Sequence, residues 1–111
     1  MTEPLPANYW GNGNSPFIAV GSYPGDNGRW SHADLAGSMW ELVFDGYASD
    51  YYTTTQTGCS DCANLNTASS RVVRGGGWRI AALFLRAAYR SNTYLDERNN
   101  YIGWRCSRSA P

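Results

Sequence analysis

At 111 residues and 42% hydrophobic content, the chain is long enough for a single domain over residues 1–111 and too apolar to stay disordered. Nine cations and nine acids give a formal net charge of zero, so there is no electrostatic footprint for nucleic acid or a membrane surface. No apolar run approaches membrane-spanning length, and no secretory core follows Met1.

Residues 1–28 are rich in Gly, Asn and Pro and read as loops with at most one short strand near residues 17–20. Met39 through Phe44 is apolar apart from Glu41, the pattern of a short buried strand. The polar stretch 45–70 reads as a long ordered loop. Residues 71–78 form a strand that breaks at Gly75, Gly76 and Gly77, where the backbone must turn or be approached closely. From Ile80 to Tyr89 two periodicities compete. The helix formers Ala81, Ala82, Leu83 and Leu85 favour a helical turn over 80–84. Leu85, Ala87 and Tyr89 alternate with Arg86, Ala88 and Arg90, which favours a strand over 85–90. Residues 100–106 read as a final strand, and there is no internal repeat.

All nine cations are arginine, which fits a GC-rich genome. It also fits a loop-rich fold whose carboxylates and carbonyls are satisfied by guanidinium groups. The five tryptophans and eight tyrosines suit irregular cores and ligand-facing surfaces, and most of the tryptophans are assigned to the core. Cys59 and Cys62 form a C-x-x-C pair without the helix N-terminus that redox chemistry needs. Adding His32 and Cys106 gives the ligand types of a structural zinc site, although the last two are isolated. The preferred reading is a Cys59–Cys62 disulfide clipping the long loop, with Cys106 buried and free, which favours an extracytoplasmic location. His32 stands alone, and no Ser-His-Asp order, phosphate loop or catalytic carboxylate pair is present.

Two long motifs occur in order: Val20-Gly21-Ser22-Tyr23-Pro24 followed by Asp34-Leu35-Ala36-Gly37-Ser38-Met39-Trp40-Glu41, then Arg71-Val72-Val73-Arg74-Gly75-Gly76-Gly77-Trp78 with the ending Asn99-Asn100-Tyr101-Ile102-Gly103-Trp104-Arg105-Cys106. Together they resemble the formylglycine-generating enzyme (sulfatase-modifying factor) family, and specifically the C-terminal part of its domain. The resemblance implies an α+β, C-type-lectin-like fold with short antiparallel strands, long loops and little regular structure. It also implies a strand through 85–90.

In that family a copper ion held by two cysteines oxidises a substrate cysteine. The matching positions here are Ile80 and Leu85, which offer no thiolate, so no copper and no cysteine-oxidase activity are expected. The family's structural calcium site maps onto the side chains of Asp34 and Glu41 and the carbonyls of Gly37 and Met39. The competing reading pairs Glu41 with an arginine such as Arg74 or Arg105. A weaker second calcium site maps onto Asn8 and Tyr9.

The function implied is a non-catalytic binding or structural domain whose ligand-binding surface comprises Trp78, Arg79, Ile80, Phe84, Ser91, Tyr94, Asp96 and Tyr101. Its partner would be a protein or small ligand, as in the variable proteins of diversity-generating retroelements. The alternative is the C-terminal half of an oxidase or sulfoxide synthase that needs an upstream half. In either case exposed edges predict self-association or pairing with another chain.

Overall fold

The computed structural model describes residues 5–13, 16–55, 57–60, 62–66 and 69–107. Val72 and Val73 are β-branched and both fully covered, at 0% and 3% exposure, so the strand that carries them is buried on both faces. This strand, β2 (Ser70–Arg74), pairs antiparallel with β1 (Trp40–Gly46) and with β3 (Ser91–Tyr94). A two-residue strand, β4 (Ile102–Gly103), lies parallel to β1, giving the order β3-β2-β1-β4. The sheet is therefore mixed, where antiparallel pairing alone was expected. Short 3₁₀ turns at Pro24–Asp26 and Ala82–Leu85 and a π-helical turn at Tyr51–Thr55 complete the regular structure.

The register of β1 against β2 is Glu41 to Arg74 and Leu42 to Val73, then shifts before Gly46 meets Arg71. That irregularity turns Asp45 and Gly46 both inward, which the simple alternation of a strand would not allow. Phe44, by contrast, is 75% exposed, with the Arg71 guanidinium 5.6 Å from its ring centre.

Four expectations need correction. Residues 17–20 form no strand, and Phe17 and Val20 lie on the surface. Residues 85–90 form no strand either. Leu85 ends the 3₁₀ turn and is buried against Gly76, while the Arg74 Nη1 donates to the Ala87 carbonyl at 2.9 Å. The chain enters the sheet only at Ser91. The final strand shrinks to Ile102–Gly103, so Trp104 and Cys106 are exposed. None of the five tryptophans is fully buried. Trp10, Trp30 and Trp104 sit on surface loops, and Trp40 and Trp78 are half-buried. No helix among the described residues is long and apolar enough to cross a membrane.

Candidate functional site

The glycine run sets the face on which Trp40, Trp78 and Tyr101 gather. Gly75 and Gly76 both take positive φ, 88° and 74°, and reverse the chain as it leaves β2. Gly77 then passes close to the Trp40 ring, and the Trp78 N–H donates to the Ser38 carbonyl at 3.0 Å. The indole Nε1 of Trp78 points to the Asn100 carbonyl at 3.4 Å, which ties the turn to the segment before β4. The Ile80 carbonyl accepts from the Trp10 N–H at 2.9 Å and so brings an N-terminal loop alongside.

Two recesses open on this face. One, of about 310 Å³, is lined by Trp40, Gly77, Arg79, Ile80 and Tyr101. The other, of about 430 Å³, is lined by Tyr9, Trp10, Gly11, Gly13 and Trp78. Arg79 lies over the Trp78 ring, 5.3 Å from its centre, and makes no ion pair among the described residues. A guanidinium presented beside flat apolar walls suits a ligand that combines a planar or apolar group with a carboxylate.

Of the ligand residues expected from sequence, the structure brings together Trp78, Arg79, Ile80 and Tyr101. Phe84 packs instead on Tyr89, with ring centres 5.0 Å apart, and Tyr89 packs on Trp40 at 6.0 Å. Ser91 and Tyr94 are on β3 and Asp96 follows it, at the opposite edge of the sheet from β4. Tyr9, Trp10 and Trp40 were missed as members of this face. A Tyr-Trp pair at the head of the polar Gly-Asn-Gly-Asn loop was the available signal for Tyr9 and Trp10.

The copper positions do not suit a metal. Ile80 lines the first recess and Leu85 is buried under Gly76, so neither offers a donor. Cys59 and Cys62 are joined by a disulfide, which removes both from any zinc set, and Cys106 is exposed, not buried. No group of three or more His, Cys, Asp or Glu side chains among the described residues converges on a common point.

Asp34, Gly37, Met39 and Glu41 do line one cleft, of about 400 Å³, together with Arg105. The two acids are already engaged there. Glu41 accepts from Arg105 Nε through Oε1 at 2.8 Å and Oε2 at 2.9 Å. Asp34 Oδ2 accepts from the Gly21 N–H at 2.8 Å. Both carboxylates that the resemblance assigns to calcium thus already accept from protein donors. Asn8 lies against Gly37, its carbonyl accepting from the Ser38 N–H at 2.8 Å, and the Tyr9 carbonyl faces the Asn12 N–H at 3.5 Å.

Asp26 stands nearby and accepts from the Ala36 N–H at 2.8 Å. Burial raises its carboxyl pKa above the ordinary 3.8, the Ala36 bond opposes this, and Asp34 adds to the rise. The folded chain therefore holds that proton more tightly than the unfolded chain, and stability falls as pH rises through the interval just above 3.8. Asp26→Asn keeps an acceptor for Ala36 and should flatten this part of the stability–pH curve. Urea midpoints measured from pH 3 to pH 6 check this. An unchanged slope would mean Asp26 is as well solvated folded as unfolded.

A second polar cluster, unsuspected from sequence, holds the long loop. Asp45 is buried and accepts from the Asn64 N–H at 2.7 Å and from the Tyr52 hydroxyl at 3.0 Å. Asn64, also buried, donates from Nδ2 to the Gly46 carbonyl at 3.2 Å. Arg90 places Nη2 3.6 Å from Asp45 Oδ2 and its guanidinium carbon 4.8 Å from the Tyr52 ring centre. The Tyr52 hydroxyl also lies 3.3 Å from the Cys62 carbonyl, linking the disulfide to the cluster. Burial, then the bond to Asp45, raises the Tyr52 pKa above 10.

The sulfatase-modifying factor enzyme 1-like domain model matches residues 4–110. The serine/threonine-protein kinases pkn1 of Chlamydia caviae and Pkn1 of Chlamydia trachomatis are each 28% identical over 102 residues, covering 92% of this chain but 16% of theirs. Hercynine oxygenase of Mycolicibacterium smegmatis is 24% identical over 113 residues, covering 89% of this chain and 24% of its own. Among solved structures, Treponema denticola variable protein 1 matches with a TM-score of 0.70 and 26% identity, over 88% of this chain and 34% of that one. The chain thus spans between about one-sixth and one-third of these proteins. The structural match gives the fold as C-type-lectin-like, with a small mixed sheet and long loops.

Proposed function

Because the chain belongs to the sulfatase-modifying factor enzyme 1-like family, we propose that it is a non-catalytic member that binds ligands through the aromatic face around Trp78. The observation that carries this reading is the replacement at the copper positions: Ile80 and Leu85 supply apolar surface and core where that chemistry needs thiolates. The same segment lends Arg79 and Ile80 to one recess and Trp78 to another, with the Arg79 guanidinium in no ion pair among the described residues, a surface suited to recognition. The similarity to a variable protein supports the finer reading of a display domain that presents Arg79, Ile80 and Tyr101 beside the glycine turn.

The ligand chemistry expected is a carboxylate beside a flat or apolar group. Selecting a random peptide library on the immobilised chain tests this. Peptides that bind should pair an acidic residue with an aromatic one. Arg79→Ala should weaken the selected peptides by about tenfold, and Trp78→Ala by at least as much, the range for a central aromatic or arginine contact. Selected peptides that bind both variants as tightly as wild type would remove this face from consideration. Partnership with an upstream half of an oxidase is the second reading, supported by the similarity to Hercynine oxygenase over a quarter of that protein's length.

A further inference from the structure

The cleft that resembles a calcium site already contains a cation. Arg105 directs all three guanidinium nitrogens at oxygens of the 33–41 segment. Nε bridges both carboxylate oxygens of Glu41 at 2.8 and 2.9 Å. Nη1 donates to the Ala33 carbonyl at 2.9 Å, and Nη2 donates to the Asp34 carbonyl at 2.9 Å and also to Glu41 Oε1. One carboxylate and two consecutive backbone carbonyls turned toward a single centre are the kind of oxygen set that holds a hard cation. The backbone is bent to produce this arrangement, for Asp34 takes a φ of 54°, a conformation most residues avoid. Its side chain turns aside to the Gly21 N–H, so it does not compete for the centre.

The location explains what the contact does. β4 is two residues long and among the described residues pairs only with β1, so the ladder does little to anchor the chain after Gly103. Trp104 and Cys106 on either side of Arg105 are exposed and add little packing. Arg105 reaches residues 71 and 72 positions earlier in the chain, and its hydrogen bonds join the terminal segment, the 33–34 turn and β1 in one contact. A planar fork with fixed donors can serve all of these acceptors at once, which a single ammonium cannot.

We propose that Arg105 is the resident cation of this seat, and that the domain holds its 33–41 segment through the guanidinium and not through a bound divalent ion. The inference does not depend on the ligand-binding reading, since it concerns the opposite requirement: what the fold needs when no metal is supplied.

Thermal unfolding of the whole chain, with chelator and with millimolar calcium as the added probe, tests it. Wild type should melt at the same temperature in both, and equilibrium dialysis against calcium should show no binding. Arg105→Ala should melt about 5–10 °C lower, the shift that losing one such contact produces in a domain of this size. Arg105→Lys should recover little of that loss. A wild-type Tm that rises with calcium overturns the proposal, and so does Arg105→Ala or Arg105→Lys melting with wild type. If Arg105→Ala does not fold, the wild-type melting and dialysis results decide the matter unaided.

Discussion

Replacing Asp45 by alanine is expected to destabilise the chain by about 3 kcal/mol, a large part of what a domain of this size possesses. The carboxylate serves three elements at once: the backbone of Asn64, the hydroxyl of Tyr52 and the charge of Arg90. Truncation leaves the half-buried Arg90 with its charge unmatched, and its buried Nε and Nη2 make no hydrogen bond among the described residues to compensate. The Asn64 N–H, buried beside Gly46, loses its acceptor as well. Stranding a buried donor costs its full desolvation, and stranding a buried charge costs more. Asp45→Asn is the informative companion, because the amide keeps one acceptor oxygen while removing the charge. It should lose less than alanine by about 1 kcal/mol or more. Urea unfolding of the two variants checks the order. Should alanine cost under about 1 kcal/mol, the loop from 47 to 66 would have to be held by the disulfide and the Tyr51 and Tyr52 contacts alone.

That cluster also shows why part of the fold was hidden in the sequence. β1 and β2 were legible because Met39 to Phe44 and Val72-Val73 are apolar runs with a glycine turn to end the second. The helical turn near Ala82 was legible from propensity. β3 was not, because Ser91-Asn92-Thr93-Tyr94 has no apolar signal and becomes a strand only by pairing with β2, with Thr93 the one residue it buries. The alternation at Leu85, Ala87 and Tyr89 pointed to a strand several residues too early. Those side chains are spent otherwise, Leu85 on Gly76 and Tyr89 between Phe84 and Trp40. The same shift separates residues that were expected to share one surface. Three strand spacings, roughly 14 Å, separate β3 from β4, so Tyr94 cannot share a recess with Tyr101. Trp78, Arg79 and Ile80 do lie together, because the glycine run fixes them locally. Asp45, Tyr52, Asn64 and Arg90 are scattered polar residues with no periodicity, and only the folded chain brings them together.

Gly37→Ala should be nearly as damaging as Asp45→Ala, and its effect should reach the ligand face. Gly37 takes a φ of 76°, and a Cβ added there would sit 2.3 Å from the Asn8 carbonyl oxygen. The left-handed conformation alone costs a non-glycine residue roughly 1–2 kcal/mol. The clash adds to this because its partner is backbone, held by the bridge between Asn8 and Gly37 and by the Ser38 N–H. Neither side can rotate away. Gly21 provides the control, since it has the same φ of 76° and nothing within 4 Å of its Cβ position. Gly21→Ala should therefore cost about 1 kcal/mol and Gly37→Ala about 3, the difference being the collision with Asn8. The Gly37 N–H is bound to the Gly75 carbonyl at 2.7 Å, and the next residue's carbonyl holds Trp78. Moving Gly37 thus moves the turn that presents Trp78 and Arg79. Gly37→Ala should weaken binding of the selected peptides even at temperatures where it remains folded, whereas Gly21→Ala should bind as wild type does. Equal melting losses for the two variants would show that the strain lies in the backbone conformation and that the approach of Asn8 to Gly37 relaxes freely.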